Sequence, residues 1–261
     1  MRIEFLADDN PLYVLPFFKE FLEHYVSEFG VTHVSLCRPM GKRPRVKLLK
    51  QLTALYGPIG IIRLLSRFAT ARAFGLIPRR PNAKRFYTLA QLCKAYGISC
   101  DKITNPNATT FVEAVAKRGS DLLISVACPY ILKSRLLNTP RLGCINAHHA
   151  SLPKYRGMMP TFWQMFHGET TVGITIHYMS EAIDEGYGLL QEELSIQPGE
   201  TLDHLIRRSK LQAAHCIVRV LRDIECESQK TFTLECSEGS YFTFPTIEQV
   251  REFRRRGCRA I

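Results

Sequence analysis

An amide, an imidazole and a carboxylate fall within one 39-residue stretch of this chain, as Asn146, His148 and Asp184. An amide N–H can hold a developing oxyanion, an imidazole can carry a proton, and a carboxylate can hold that imidazole in one protonation state. Together they suit acyl transfer. Around them stand Pro153-Lys154-Tyr155-Arg156-Gly157, Pro160, Trp163, Gly168-Glu169, Gly173-Ile174-Thr175-Ile176-His177 and Ile183-Asp184-Glu185-Gly186. Singly, Asn146 reads as a turn opener, His148 as a satisfied loop histidine and Asp184 as a turn residue. Their combination is what marks a site.

These groups need strands to aim them. Asn146 and His148 are two apart and close the apolar run Leu142-Gly143-Cys144-Ile145. On a strand, residues i and i+2 share a face. Both side chains then leave the carboxyl end of a strand, where open α/β sheets place their ligand crevices. Asp184 follows a second strand-like run at 172–179, and a turn at Glu185-Gly186 returns its carboxylate to the same crevice. Along the rest of the chain the patterning predicts strands at 2–7, 31–36, 121–127, 142–147, 172–178 and 189–196. Helices are expected at 11–28, 44–75 (broken at Gly57-Pro58), 86–97, 108–118 and 201–222, the last capped by Thr201. This alternation predicts an α/β fold, a Rossmann-like, mostly parallel sheet flanked by helices. No internal repeat is visible.

The 261 residues carry a formal net charge of +11, unevenly spread. Residues 29–100 hold 14 Lys or Arg and no Asp or Glu, so the remainder has 35 − 14 = 21 basic against 24 acidic residues. The excess therefore sits in one segment, a basic helical insertion at about 38–85, which suits a nucleic acid, a nucleotide-linked substrate or an anionic membrane surface. A solvated helical face is the ordinary alternative. Nine cysteines without a Cys-x-x-Cys pair, and histidines without ligand spacing, argue against a disulfide framework or a metal site and for a reducing cytoplasm. No contiguous run of about 18 apolar residues and no leader pattern is seen, so neither a membrane span nor a secretory signal is expected.

The order Asn-x-His, Pro-x-Tyr-Arg-Gly-x-x-Pro-x-x-Trp, Gly-Glu-x-x-x-Gly-x-Thr-Ile and Asp-x-Gly resembles the formyltransferases that use 10-formyltetrahydrofolate. The resemblance is strong over about 121–221, weak over the first 35 residues and absent between about 40 and 85. It implies the formyltransferase fold and a catalytic set of Asn146, His148 and Asp184. Asn146 and His148 would donate to the oxyanion, and Asp184 would hold His148 and take the amine proton. It also implies folate contacts near Tyr130 and Leu132 on one wall and from Ser180 to Ile183 on the other, with no metal. Tyr155 and Arg156 are either loop anchors or acceptor contacts. One departure is His148-His149-Ala150-Ser151-Leu152-Pro153, where the family's serine stands one position earlier, which puts a loop hydrogen bond in question.

The acceptor is read from what flanks this core. The first strand-to-helix turn, Ala7-Asp8-Asp9-Asn10-Pro11, lacks the glycine-rich phosphate loop of relatives that formylate glycinamide ribonucleotide, and paired carboxylates repel a phosphate. Asp8 and Asp9 read instead as helix-start charges. Relatives acting on methionyl-tRNA carry a further β-barrel of about 80–100 residues; here 226–261 reads as a short extension of a 1–225 catalytic domain. Its Ser240-Tyr241-Phe242-Thr243-Phe244-Pro245 reads as a core-plugging hairpin, followed by a basic helix. The expected reaction is formyl transfer to the amine of a nucleotide-linked amino sugar. Methionyl-tRNA formylation and hydrolysis of 10-formyltetrahydrofolate are alternatives, as is a non-catalytic RNA- or membrane-binding protein on the same fold. Expected partners are folate, the anionic amine acceptor, tRNA, an anionic membrane surface and a second copy in a homodimer.

Overall fold

The computed structural model describes residues 1–38, 44–235, 237 and 239–261, so Lys42 and Arg43 of the basic segment, and Cys236, lie outside the described residues. Strand β1 (Arg2–Asp8) is the middle strand of the parallel part of an eight-stranded sheet. Its neighbours are β2 (Gly30–Cys37) and β4 (Leu122–Val126), with β3 (Ser99–Ile103) outside β2 and β5 (Cys144–His148) beyond β4. All four of these pairings are parallel. Strands β7 (Thr171–Tyr178), β8 (Tyr187–Ser195) and β9 (Phe232–Thr233) then continue antiparallel. The sheet is mostly parallel, as the βαβ alternation predicts. The central strands are apolar on both faces because helices cover both: every residue of β4 is buried.

Helix α1 (Leu15–Tyr25) buries Phe17, Phe18 and Phe21, which meet Phe5 of β1 edge-on at 6.1, 5.0 and 5.2 Å. Full burial of each ring stabilises the fold by about 1.5–3 kcal/mol. Helix α7 (Leu202–Glu225) starts at the expected cap, with Thr201 Oγ1 accepting from His204 N at 3.3 Å. The helical insertion is α2 (Arg45–Phe74), kinked at Gly57, whose φ of 72° interrupts the helix before Pro58. The remaining helices are α3 (Leu89–Ala95), α4 (Thr109–Arg118), α5 (Ser134–Leu137), α6 (Pro160–His167) and α8 (Ile247–Arg255).

Four expectations change. Helix α1 begins at Leu15 rather than near Pro11, and Asp8 ends β1 with 7% exposure, so it is a buried strand-end carboxyl and not a helix-start charge. Among the described residues Tyr241-Phe242 forms no hairpin. This strand, β10, pairs in parallel with β6 (Arg156–Gly157), because Phe242 stacks on Trp163 at 4.7 Å and draws the tail over the loop. Strand β3, an exposed edge strand, and the eight-residue α6 were not foreseen, both being short and without a clean period. Finally, Leu48–Phe74 is long and apolar enough by composition to cross a membrane, with mean hydropathy 1.2, and only 22% of that window is buried. A search for contiguous apolar runs misses it because arginines interrupt the run at helical spacing.

Candidate active site

Asn146, His148 and Asp184 converge at the carboxyl ends of β4 and β5. They line one cleft of about 870 Å³ together with Tyr130, Leu132, Ser180 and Ile183. Strand β5 delivers Asn146 and His148 to one face, and antiparallel β7 sets His177 directly opposite Asn146. Asp184 sits in the β7–β8 loop with φ 52°. Gly186 lets that loop fold back: its φ is 143°, and a Cβ there would meet the Tyr178 carbonyl oxygen at 2.3 Å. Asp184 Oδ2 then accepts from Gly157 N at 2.7 Å.

The hydrogen bonds fix most protons. His177 Nδ1 donates to the Tyr178 carbonyl at 2.9 Å, since a carbonyl only accepts. Burial pushes this imidazole down to about 4 against the opposing pull of Asp184, so it is neutral and its Nε2 is a lone pair. Asn146 Nδ2, 3.3 Å from that Nε2, must therefore present its NH₂. One amide N–H is used and the second remains. His148 Nε2 donates to the Tyr155 carbonyl at 2.9 Å, and His148 Nδ1 lies 3.3 Å from Asp184 Oδ1. Both ring nitrogens of His148 are thus turned to protein partners.

Tyr155 and Arg156 do not line the cleft. The Tyr155 ring is buried against Phe242 at 5.5 Å and its hydroxyl donates to Glu169 at 2.7 Å. Arg156 pairs with Glu185, next to Asp184. Arg156 thus ties the β6 loop to the Asp184 loop, while Tyr155 ties it to the tail at Phe242 and to Glu169. The neighbouring 149–153 loop is fastened by Thr175, whose Oγ1 donates to the Ala150 carbonyl at 2.6 Å and accepts from Leu152 N at 3.2 Å. That supplies a loop hydrogen bond independent of the displaced serine.

Sequence reasoning missed a second polar group of the cleft: Asp8, Asn10, Tyr13, His149 and Lys210 also line it. Asp8 is two strands away from Asn146 in the sheet. Burial raises its carboxyl to about 7 against the pull of Lys210, and lowers Lys210 to about 8 against the pull of Asp8. Burial also holds His149 well below its usual range, and neither of its ring nitrogens, nor Asp8 Oδ1, has a hydrogen-bond partner among the described residues. Such buried, unpaired groups are costly unless something pairs with them. The signal lay in Asp8 closing an apolar strand and Lys210 falling on the apolar stripe of α7. Among the described residues no group of three His, Cys, Asp or Glu is placed to hold a metal ion.

The strip at 127–132 is mainly apolar, the 179–184 loop adds Met179, Ala182 and Ile183 beside Ser180 and Asp184, and the volume lies within the range of small-molecule clefts.

The profile of the formyl transferase family matches residues 79–221. A methionyl-tRNA formyltransferase from Syntrophus aciditrophicus is 40% identical over 131 residues, covering 50% of this chain and 42% of that protein. The chain thus spans about half the length of the curated relatives it matches. Among solved structures, a sugar N-formyltransferase from Shewanella sp FDAARGOS_354 has TM-score 0.59 at 18% identity, covering 98% of this chain and 87% of that one. A phosphoribosylglycinamide formyltransferase from Anaplasma phagocytophilum has TM-score 0.60 at 13% identity, covering 93% and 99%. These two likenesses speak to fold alone.

Proposed function

The chain belongs to the formyl transferase family, and we propose that it moves a formyl group from 10-formyltetrahydrofolate to a primary amine, most simply that of a nucleotide-linked amino sugar. The observation that carries this reading is the Asn146 amide, oriented by neutral His177 and left with one N–H facing a pterin-sized cleft beside Asp184. Attack of a neutral amine on the formyl carbon places negative charge on the formyl oxygen. The second Asn146 N–H receives that charge without reorganising, which is where a fixed dipole contributes most. The nitrogen becomes cationic as the bond forms and must shed a proton. Asp184, held by His148 Nδ1 and Gly157 N, accepts it directly or through water; as the tetrahedral intermediate collapses, the bond between the formyl carbon and folate N10 breaks, and the same proton passes to N10 to release tetrahydrofolate. His148 in this scheme positions Asp184. Tyr130, Leu132, Ser180 and Ile183 hold the folate. Tyr155 and Arg156 brace the loops.

The acceptor assignment draws on the second polar group. A carboxyl, an amide, an imidazole and an amine side by side can exchange hydrogen bonds with the hydroxyls of a sugar, each of which both donates and accepts. A phosphate alone is served poorly by a site that contains Asp8. Methionyl-tRNA is the second reading, favoured by the basic segment and by the relatives that carry that name. The reaction is assigned to the cytoplasm, where free thiols persist.

Purified protein, 10-formyltetrahydrofolate and a panel of nucleotide-linked amino sugars, with methionyl-tRNA alongside, form the test. Mass spectrometry of each acceptor reads the formyl addition. A formylated sugar supports the proposal. Formylated methionyl-tRNA with untouched sugars replaces it by the second reading. Folate consumption with neither product formylated makes the protein a hydrolase, and no folate turnover at all refutes the enzymatic reading.

A further inference from the structure

Helix α2 is mounted on the fold by one face only. Leu55, Ile61 and Leu64 are buried. Tyr56 hydrogen-bonds the Tyr13 hydroxyl at 2.9 Å, Arg67 pairs with Asp203 at 3.3 Å, and Arg254 donates to the Leu55 carbonyl at 2.9 Å. Among the described residues the opposite face is left exposed. Ile59 is 83% exposed, Ile62 66% and Leu65 54%, and Leu76 just past the helix end is 87% exposed. Ile59, Ile62, Ser66, Ala69 and Ala73 follow helical spacing along one stripe. At the same spacing Arg63 and Arg72 fall on its two flanks, both exposed, and exposed Arg80, Lys84 and Arg85 follow the helix. No acidic residue occurs anywhere in 29–100.

We propose that this face docks the protein peripherally on an anionic lipid bilayer, with the isoleucines and leucines in the acyl boundary and the flanking arginines at the headgroups. A stripe of aliphatic residues bordered by arginines is the composition an interfacial helix requires: the long arginine stems lie along apolar surface while their heads reach phosphate. Exposed aliphatic side chains grouped on one helix face mark an interaction surface, whereas singly scattered ones do not. Charge complementarity selects the occupant. A second copy related by a two-fold axis would press this basic face against itself. A nucleic acid would meet the arginines but gain little from outward aliphatic side chains, since bases stack on aromatic ones. A transmembrane course would strip the inner face from Tyr13, Asp203 and Arg254. The inference goes beyond the proposed reaction and does not need formyl transfer to be right.

The test is sedimentation of the full chain with vesicles of equal parts phosphatidylcholine and phosphatidylglycerol, against phosphatidylcholine alone, at low and high salt. The protein should pellet with the anionic vesicles at low salt, much less at high salt, and remain in solution with the neutral ones. The double variants Ile59→Ser/Ile62→Ser and Arg63→Glu/Arg72→Glu should each lower the bound-to-free ratio by about tenfold or more, with circular dichroism and Tm unchanged because all four side chains point outward. Failure to pellet with anionic vesicles at low salt overturns the proposal. So does pelleting that ignores lipid charge and both variants. A dimer that dissociates in Ile59→Ser/Ile62→Ser, with no lipid binding, assigns the face to a second copy. Binding to polyuridylate that needs the arginines but not the isoleucines, again without lipid binding, assigns it to nucleic acid.

Discussion

In the proposed reaction Asn146 must show the formyl oxygen an N–H and not its carbonyl, and His177 decides which. His177→Phe leaves the amide free to turn, so kcat should fall by about tenfold, the equivalent of one hydrogen bond, with little change in KM. His177→Gln can restore an acceptor for Asn146 and should recover part of the loss; equal damage from both variants would reduce His177 to packing. The same logic gives a pH effect. His177 is neutral until about pH 4, and protonating its Nε2 sets an N–H against an N–H. Activity should therefore decline on the acid side as pH falls toward that value, and His177→Gln should lack that limb. Asn146→Ala and Asp184→Ala should each cost at least about 10²–10³ in kcat while urea midpoints stay close to wild type. Near-normal turnover in either would sink the catalytic assignment.

Among the elements, the decisive contact is between the tail and the loop. Strand β10 pairs with β6, Gly157 N reaches Asp184, and Trp163 Nε1 donates to the Thr243 carbonyl at 3.0 Å. Trp163 is 3% exposed and stacks on Phe242. Trp163→Ala should cost about 3–5 kcal/mol of stability by urea unfolding, and the surviving folded enzyme should also lose kcat as the β6 loop loosens. Gly186→Ala separates the two effects. Its Cβ would drive the Asp184 loop away from Tyr178 without touching the core, so turnover should drop far more than stability; the reverse order would show that this loop does not set Asp184.

For the molecule as a whole, the buried imidazoles govern acid sensitivity. His149 and His177 both have folded-state pKa values depressed below 6.5 by burial. Between 6.5 and the folded values the unfolded chain binds more protons, so their contribution is full above 6.5 and is lost as pH falls. Asp8 acts in the opposite sense: raised from 3.8 to about 7, it contributes fully below 3.8 and its contribution is lost as pH rises through 7. Replacing His149 by Phe removes one imidazole and two unpaired nitrogens. The difference between urea midpoints at pH 7.5 and pH 5 should shrink relative to wild type, and an unchanged difference would show that His149 is not buried neutral.

The sheet class, the main helices and the convergence of Asn146, His148 and Asp184 were legible in the chain because they depend on local period and on spacing along single strands. A period of two aims Asn146 and His148 together wherever β5 lies, and a glycine after Asp184 marks the turn. Other features depend on partners far away in sequence. His177 matters because antiparallel pairing sets it opposite Asn146. Asp8 and Lys210 come to line one buried cleft only in the packed fold, where solvation, not residue type, moves their protons. The tail becomes a clamp on the β6 loop through the stacking of Phe242 on Trp163, and which face of α2 stays bare is settled by what Tyr13, Asp203 and Arg254 hold. Periodicity tells a chain which residues share a face; only the packed structure decides which faces find one another and which are left to a partner.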